Sequence, residues 1–179
     1  MLKRALAVVM VIFGVFAAAD AFAQGEVQKG ARTQGEAPAQ LPAWILSCSN
    51  ANAGGVFQCA MEQTLYVSAT SQRVVSLRLA RTAEDKARTV ATLSLPHGIL
   101  LTEGVTFWVD DGPKTVAAIT RADAAGSYGS FQFEDDLASA FKKGVVLHVS
   151  AKSLNGEDFV VDLSLSGFSA AYDKMISLD

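Results

Sequence analysis

The sequence predicts a mainly β domain: an antiparallel sandwich or a barrel-like body, with one or two short helices near the C-terminus. Three observations carry this. Apolar and polar residues alternate with period two through about nine short runs, the mark of half-buried strands. Gly, Pro, Asn and Asp punctuate those runs at the regular spacing of all-β folds. Helical periodicity is confined to two short stretches in the last third of the chain.

The β pattern does not start at the N-terminus. Lys3 and Arg4 form a short positive region, and residues 6–19 are apolar. That run is about 14 residues long, short of the ~20 a helix needs to span a bilayer. Ala21-Phe22-Ala23 is the small-x-small pattern that signal peptidase accepts, so residues 1–23 read as a signal peptide cleaved before Gln24. No Cys follows that site, so it is not a lipid attachment site. The mature protein is then expected in the periplasm or peripherally associated with the outer membrane. Residues 24–40 (QGEVQKGARTQGEAPAQ) hold one large aliphatic residue, Val27, and no aromatic. Such a segment buries too little to offset its ordering entropy and reads as a disordered tail. Residues 41–179 are then one domain, large enough for a real core. The whole chain carries a net charge of −3, and loss of Lys3 and Arg4 makes the remainder more acidic. That balance gives no pull toward nucleic acid or anionic lipid.

Each element follows from its own signal. Residues 44–48 and 55–59 are short strands around the turn-rich loop 50–55, and they carry the two cysteines, Cys48 and Cys59. In an exported protein thiols oxidise, so the two are expected to pair and staple the first hairpin. A short loop of this kind contributes about 2–3 kcal/mol, mainly by restricting the unfolded chain. A zinc site would need about four ligands, and no His or third Cys lies nearby. Redox-active pairs have Cys-x-x-Cys spacing, which these two lack. Strands follow at 64–69 and 74–79, where Val75, Leu77 and Leu79 share a face. Residues 81–88 (RTAEDKAR) are a charged connector. A strand at 88–95 is stopped by Pro96. The strand at 105–109 meets the turn signal Asp110-Asp111-Gly112-Pro113, with 114–120 as its hairpin partner. A short strand at 130–133 precedes a helix at 135–144, which has acids in its first turn, Lys142 and Lys143 in its last, and Gly144 as stop. Strands 145–151 and 158–164 form a hairpin around Asn155-Gly156, a pair suited to a tight type I′ turn. A second helix is expected at 169–175.

Chemistry is sparse along this scaffold. His97 follows Pro96 in a turn and reads as a solvated loop residue. His148 lies between Leu147 and Val149 in a strand and should point away from their face. Neither has a metal-ligand partner at helix or strand spacing. Asp110-Asp111-Gly112 lacks the alternating acids and distal Glu of a calcium loop and reads as a turn. Glu134-Asp135-Asp136 suits a helix start. Residues 125–129 (AGSYG) resemble a nucleophile elbow faintly, but that motif needs a strand–turn–helix in an α/β sheet. No phosphate loop, dinucleotide fingerprint or basic–aromatic stripe is present. No catalytic, cofactor-binding or metal-binding residue is therefore assigned, and no cofactor is expected.

Several segments, in order, are similar to the invasion-associated locus B family of exported proteobacterial proteins. They are Trp44 with Cys48, then 59–63 (CAMEQ), 95–105 (LPHGILLTEGV), 109–112 (VDDG) and 164–171 (SLSGFSAA). The resemblance spans nearly all of the mature domain. It implies a periplasmic or outer-membrane-associated protein, in some pathogens linked to entry into host cells, with no established catalytic residues. It also implies a second cysteine pair in a segment shaped Cys-x-x-x-Gly-Cys. Here that segment is 122–127 (ADAAGS), with Ala122 and Ser127 where the cysteines would stand. Both are missing together, as expected when a whole disulfide is lost, and the hairpin after Thr120 should be looser for it.

The sequence thus favours a non-enzymatic envelope protein that binds an envelope or host protein. A periplasmic small-molecule-binding module is the alternative. Mass spectrometry of the exported protein is expected to show an N-terminus at Gln24 and no alkylation before reduction; thiols that react in fresh periplasmic material would remove the Cys48–Cys59 pairing.

Overall fold

Cys48 and Cys59 stand directly opposite one another on antiparallel strands β1 (Ile45–Ser49) and β2 (Gln58–Val67). Opposed residues are the closest pairs an antiparallel ladder offers, and the two are joined as a disulfide with Cα atoms 4.1 Å apart. The structure, a computed structural model, describes residues 43–49, 58–82 and 88–178. All of them belong to one compact unit, Ala39–Asp179. The expected signal peptide (1–23), tail (24–40) and loop (50–55) lie outside the described residues, as does most of the charged connector.

The chain builds two antiparallel sheets. One has six strands in the order β1-β2-β3-β4-β8-β7, with β3 (Gln72–Arg81), β4 (Thr89–Leu95), β7 (Ile119–Asp123) and β8 (Gly126–Gln132). The other has four in the order β10-β9-β5-β6, from β5 (Val105–Val109), β6 (Thr115–Ala117), β9 (Val146–Lys152) and β10 (Asp158–Ser164). Both sheets keep open edges, so the body is a sandwich and the barrel-like option is set aside. The sequence reading divided β2 into two strands, at 55–59 and 64–69. Residues 60–63 (AMEQ) are weak strand formers, yet pairing on both sides, to β1 and β3, carries the strand straight through them.

The expected strand 114–120 is in turn two strands in two sheets. β6 pairs with β5, and after Ala118 the chain crosses to the other sheet, where β7 pairs with β8. Small residues permit the crossing. Ala117 is buried there, and a Cβ on Gly129 would come within 2.9 Å of Val105 Cγ1 and 3.3 Å of the Ala118 carbonyl oxygen. The inner faces pack by matching size, as dense cores require. Ala91 lies opposite Phe131, Leu93 opposite Gly129 and Leu95 opposite Ser127. Phe131 stacks on Phe107 from the other sheet with ring centroids 4.4 Å apart.

Two helices complete the body: α1 (Asp135–Lys143), placed as expected, and α2 (Phe168–Leu178). Helix α2 is longer than the predicted 169–175. It packs on β1 and β2, the part of the larger sheet that needs another cover. Phe168 is fully buried at its start, with Trp44, Phe133, Phe141 and Tyr172 all within 6.0 Å by ring centroid. Removing an aromatic side chain from such a cluster costs about 3–5 kcal/mol.

The β9–β10 hairpin differs from expectation in its turn. A two-residue type I′ loop needs positive φ at both central residues, but only Gly156 has it, at 86°. The loop has three residues: the Gly156 N–H donates to the Ser153 carbonyl, and the Ser153 N–H to that of Glu157. The reason is register. With a three-residue loop Leu147 of β9 faces Leu163 of β10, and Val149 faces Val161. One residue of slip would set inward residues against outward ones.

Ala122 and Ser127 face each other across the β7–β8 hairpin, the same relation that Cys48 has to Cys59. Polar contacts close this hairpin. The Asp123 carboxylate accepts from the Ala125 N–H at 2.8 Å and the Tyr128 hydroxyl at 2.9 Å, and Arg121 lies over the Tyr128 ring. The Ala125 N–H, then the Tyr128 hydroxyl, hold the Asp123 carboxyl below its ordinary range. A lowered carboxylate stabilises the fold above its unfolded pKa and loses that effect as pH falls through the folded one. NMR titration of Ala125 and Tyr128 is therefore expected to show the hairpin contacts breaking with a midpoint below the ordinary Asp value; a midpoint at that value would contradict the network.

Candidate functional site

The turn after β5 is where the sheet meets α1. Asp110 has a positive φ of 48°, a conformation that Asp tolerates better than most residues. Its carboxylate accepts the Val146 N–H at 2.9 Å and the Val145 N–H at 3.1 Å, while its own N–H donates to the Val146 carbonyl. Gly144 lets the two segments close: a Cβ there would sit 2.2 Å from Val109 Cγ1. The expected reading of 110–113 as a turn holds, and Asp110 additionally ties the end of α1 to the β5–β6 hairpin.

Between these two tied parts lies a half-open cleft of about 390 Å³. Phe107, Val109 and Pro113 of the hairpin form one wall, and Leu137 and Ala140 of α1 the other. Glu134 and Asp136 stand on its rim. Both are exposed, and among the described residues neither forms a side-chain hydrogen bond or ion pair. Glu134 occupies the N-cap of α1 without a side-chain capping bond. The helix dipole accounts for acids here, and Arg88 lines a neighbouring hollow with them. Lys114, on the hairpin side, is held over the Trp108 ring at 4.5 Å. A larger, more polar hollow of about 530 Å³ lies beside Arg88 and Thr89. It shares Gln132, Glu134 and Asp136 with the apolar cleft.

The residues weighed for chemistry are dispersed. His97 is exposed in its loop. His148 points outward from the four-stranded sheet, stacked on Trp108 with centroids 5.0 Å apart. Its Nδ1 lies 2.7 Å from Asp162 Oδ1. A carboxylate only accepts, so Nδ1 carries the hydrogen. That pairing escaped the sequence reading because it follows from the β9–β10 register, which a three-residue loop sets. Ser127 is buried within β8, opposite Leu95, and so is no nucleophile elbow. Among the described residues no cluster of His, Cys, Asp and Glu could hold a metal ion, and no helix is long and apolar enough to cross a membrane. The cleft itself was missed because its walls come from residues about 25 apart in sequence, joined through Asp110.

Fold and site together define a disulfide-bearing antiparallel β-sandwich with a helix-walled surface cleft. The sequence model of the family "Invasion associated locus B (IalB) protein" matches residues 44–176, and the chain belongs to that family. A crystal structure of invasion associated protein B from Bartonella henselae is similar, with a TM-score of 0.67 over 77% of this chain and 93% of that one. The two are 22% identical, so this likeness is one of fold. No curated protein matches the chain.

Hydrogen bonds to a charged group contribute about 1.5–3 kcal/mol, more than neutral ones. Asp110→Asn keeps the residue's tolerance of positive φ and loses the charge. It is expected to lower stability by about 2 kcal/mol in urea unfolding, and Asp110→Gly by a similar amount. Wild-type midpoints in both variants would show that the clamp contributes nothing.

Proposed function

We propose that this protein is an exported envelope protein that acts by binding a partner protein, part of which seats in the cleft between the β5–β6 hairpin and α1. The observation that carries the reading is the cleft: apolar walls on two elements held in fixed relation, with charged groups left free at the rim. Anchor side chains at protein interfaces seat in apolar pockets of this kind. Export rests on the signal-peptide pattern of residues 1–23 and fits the disulfide between Cys48 and Cys59. The partner belongs to the envelope or to a host cell, and the name of the B. henselae relative, invasion associated protein B, supports the host side.

One observation favours a second reading. A volume of about 390 Å³ also lies within the range of small-molecule sites. Site-specific photo-cross-linking in intact cells separates the two. A cross-linker at Thr115, which lines the cleft, is expected to give a discrete protein adduct. One at Thr70, in the turn after β2, is expected to give none. Adducts of equal yield from both positions, or none from Thr115, would overturn the proposal.

A further inference from the structure

The chemistry of the cleft specifies its occupant further, on the reading that it binds a partner protein. Most of its lining is apolar, Phe107, Val109, Pro113, Leu137 and Ala140 among it, with Thr115 and Gln132 as polar members. Its rim, on the α1 side, carries Glu134 and Asp136, exposed and without ion-pair partners among the described residues. Lys114, the cation of the hairpin, is drawn onto Trp108. The volume suits one bulky side chain and its neighbour and is too small for a helix or a strand. We infer that the cleft receives a segment of the partner that presents a large apolar side chain next to a Lys or Arg. The apolar group fills the space between the walls, and the adjacent cation meets the two carboxylates. An acidic neighbour in the same place would face like charge, so the rim selects against it.

The same arrangement predicts how affinity divides. Burial of the apolar group supplies most of it, and the exposed ion pairs add a modest, salt-sensitive share. The experiment uses four probes on the ¹⁵N-labelled protein, followed by NMR: acetyl-Phe-Lys-amide, acetyl-Phe-Glu-amide, acetyl-Ala-Lys-amide and phenethylamine. Acetyl-Phe-Lys-amide is expected to shift the amide signals of Thr115, Leu137 and Ala140 and to bind more tightly than the other three. Glu134→Gln combined with Asp136→Asn is expected to weaken it roughly fivefold, and 1 M NaCl to do about the same. Both replaced groups are exposed and unpartnered, and the variant's own spectrum reports that its fold is intact. Equal binding of acetyl-Phe-Glu-amide, or shifts centred elsewhere, would overturn the inference. Phenethylamine binding as tightly as acetyl-Phe-Lys-amide would overturn it in favour of a small-amine site. A cellular adduct from Thr115 without any preference for Lys would leave the binding function standing and remove only the charge selection.

Discussion

One carboxylate joins the two halves of the site. Asp110 accepts hydrogen bonds from two consecutive backbone N–H groups beyond α1, and its own N–H returns a bond to the same segment. These contacts bridge parts of the chain 35 residues apart. The turn that ends β5 is thereby tied to the segment that leads from α1 into β9. Gly144 makes the contact sterically possible, since any side chain there would strike Val109. Walls tied in this way fit the proposed binding role, since a preformed site avoids the ordering cost that a flexible one bears.

The rest of the sandwich supplies the rigid ground for that clamp. The chain changes sheets at Ala118, which ties the edges of the two layers together beside Gly129. Within the larger sheet, large residues of β4 and β8 sit beside small ones, and Phe131 stacks on Phe107 of the other sheet. Phe107 is also part of the cleft. The floor of the site is thus an extension of the core, and changes in core packing would be felt there. At the other end, the disulfide fixes the edge strand β1 to β2, while α2 covers the pair.

Much of this was legible from the chain. Alternation in 74–79, 105–109 and 145–151 located the strands and their inner faces, because a half-buried strand leaves a period-two record. Acids, lysines and Gly144 located α1 almost to the residue. The failures share a cause. The merging of 60–63 into β2, the division of 114–120 between sheets and the three-residue loop at 154–156 are decisions of tertiary pairing, where local propensity is neutral or misleading. The site falls in the same class. Asp110 reads as a turn residue, Glu134 and Asp136 read as a helix start, and each reading is locally correct. Only the fold brings them around one cavity.

A domain of this family then carries a defined surface feature: a mostly apolar cleft with two carboxylates at its lip, beside a hydrogen-bonded turn. Amide hydrogen exchange at Val145 examines that arrangement most directly. The Val145 side chain is 69% exposed, and its N–H donates to the Asp110 carboxylate. If the clamp persists in solution, this amide exchanges as slowly as those of neighbouring β9 despite its surface position. Exchange at the rate of an open loop would mean that the Asp110 carboxylate does not hold this segment, and would contradict the clamp.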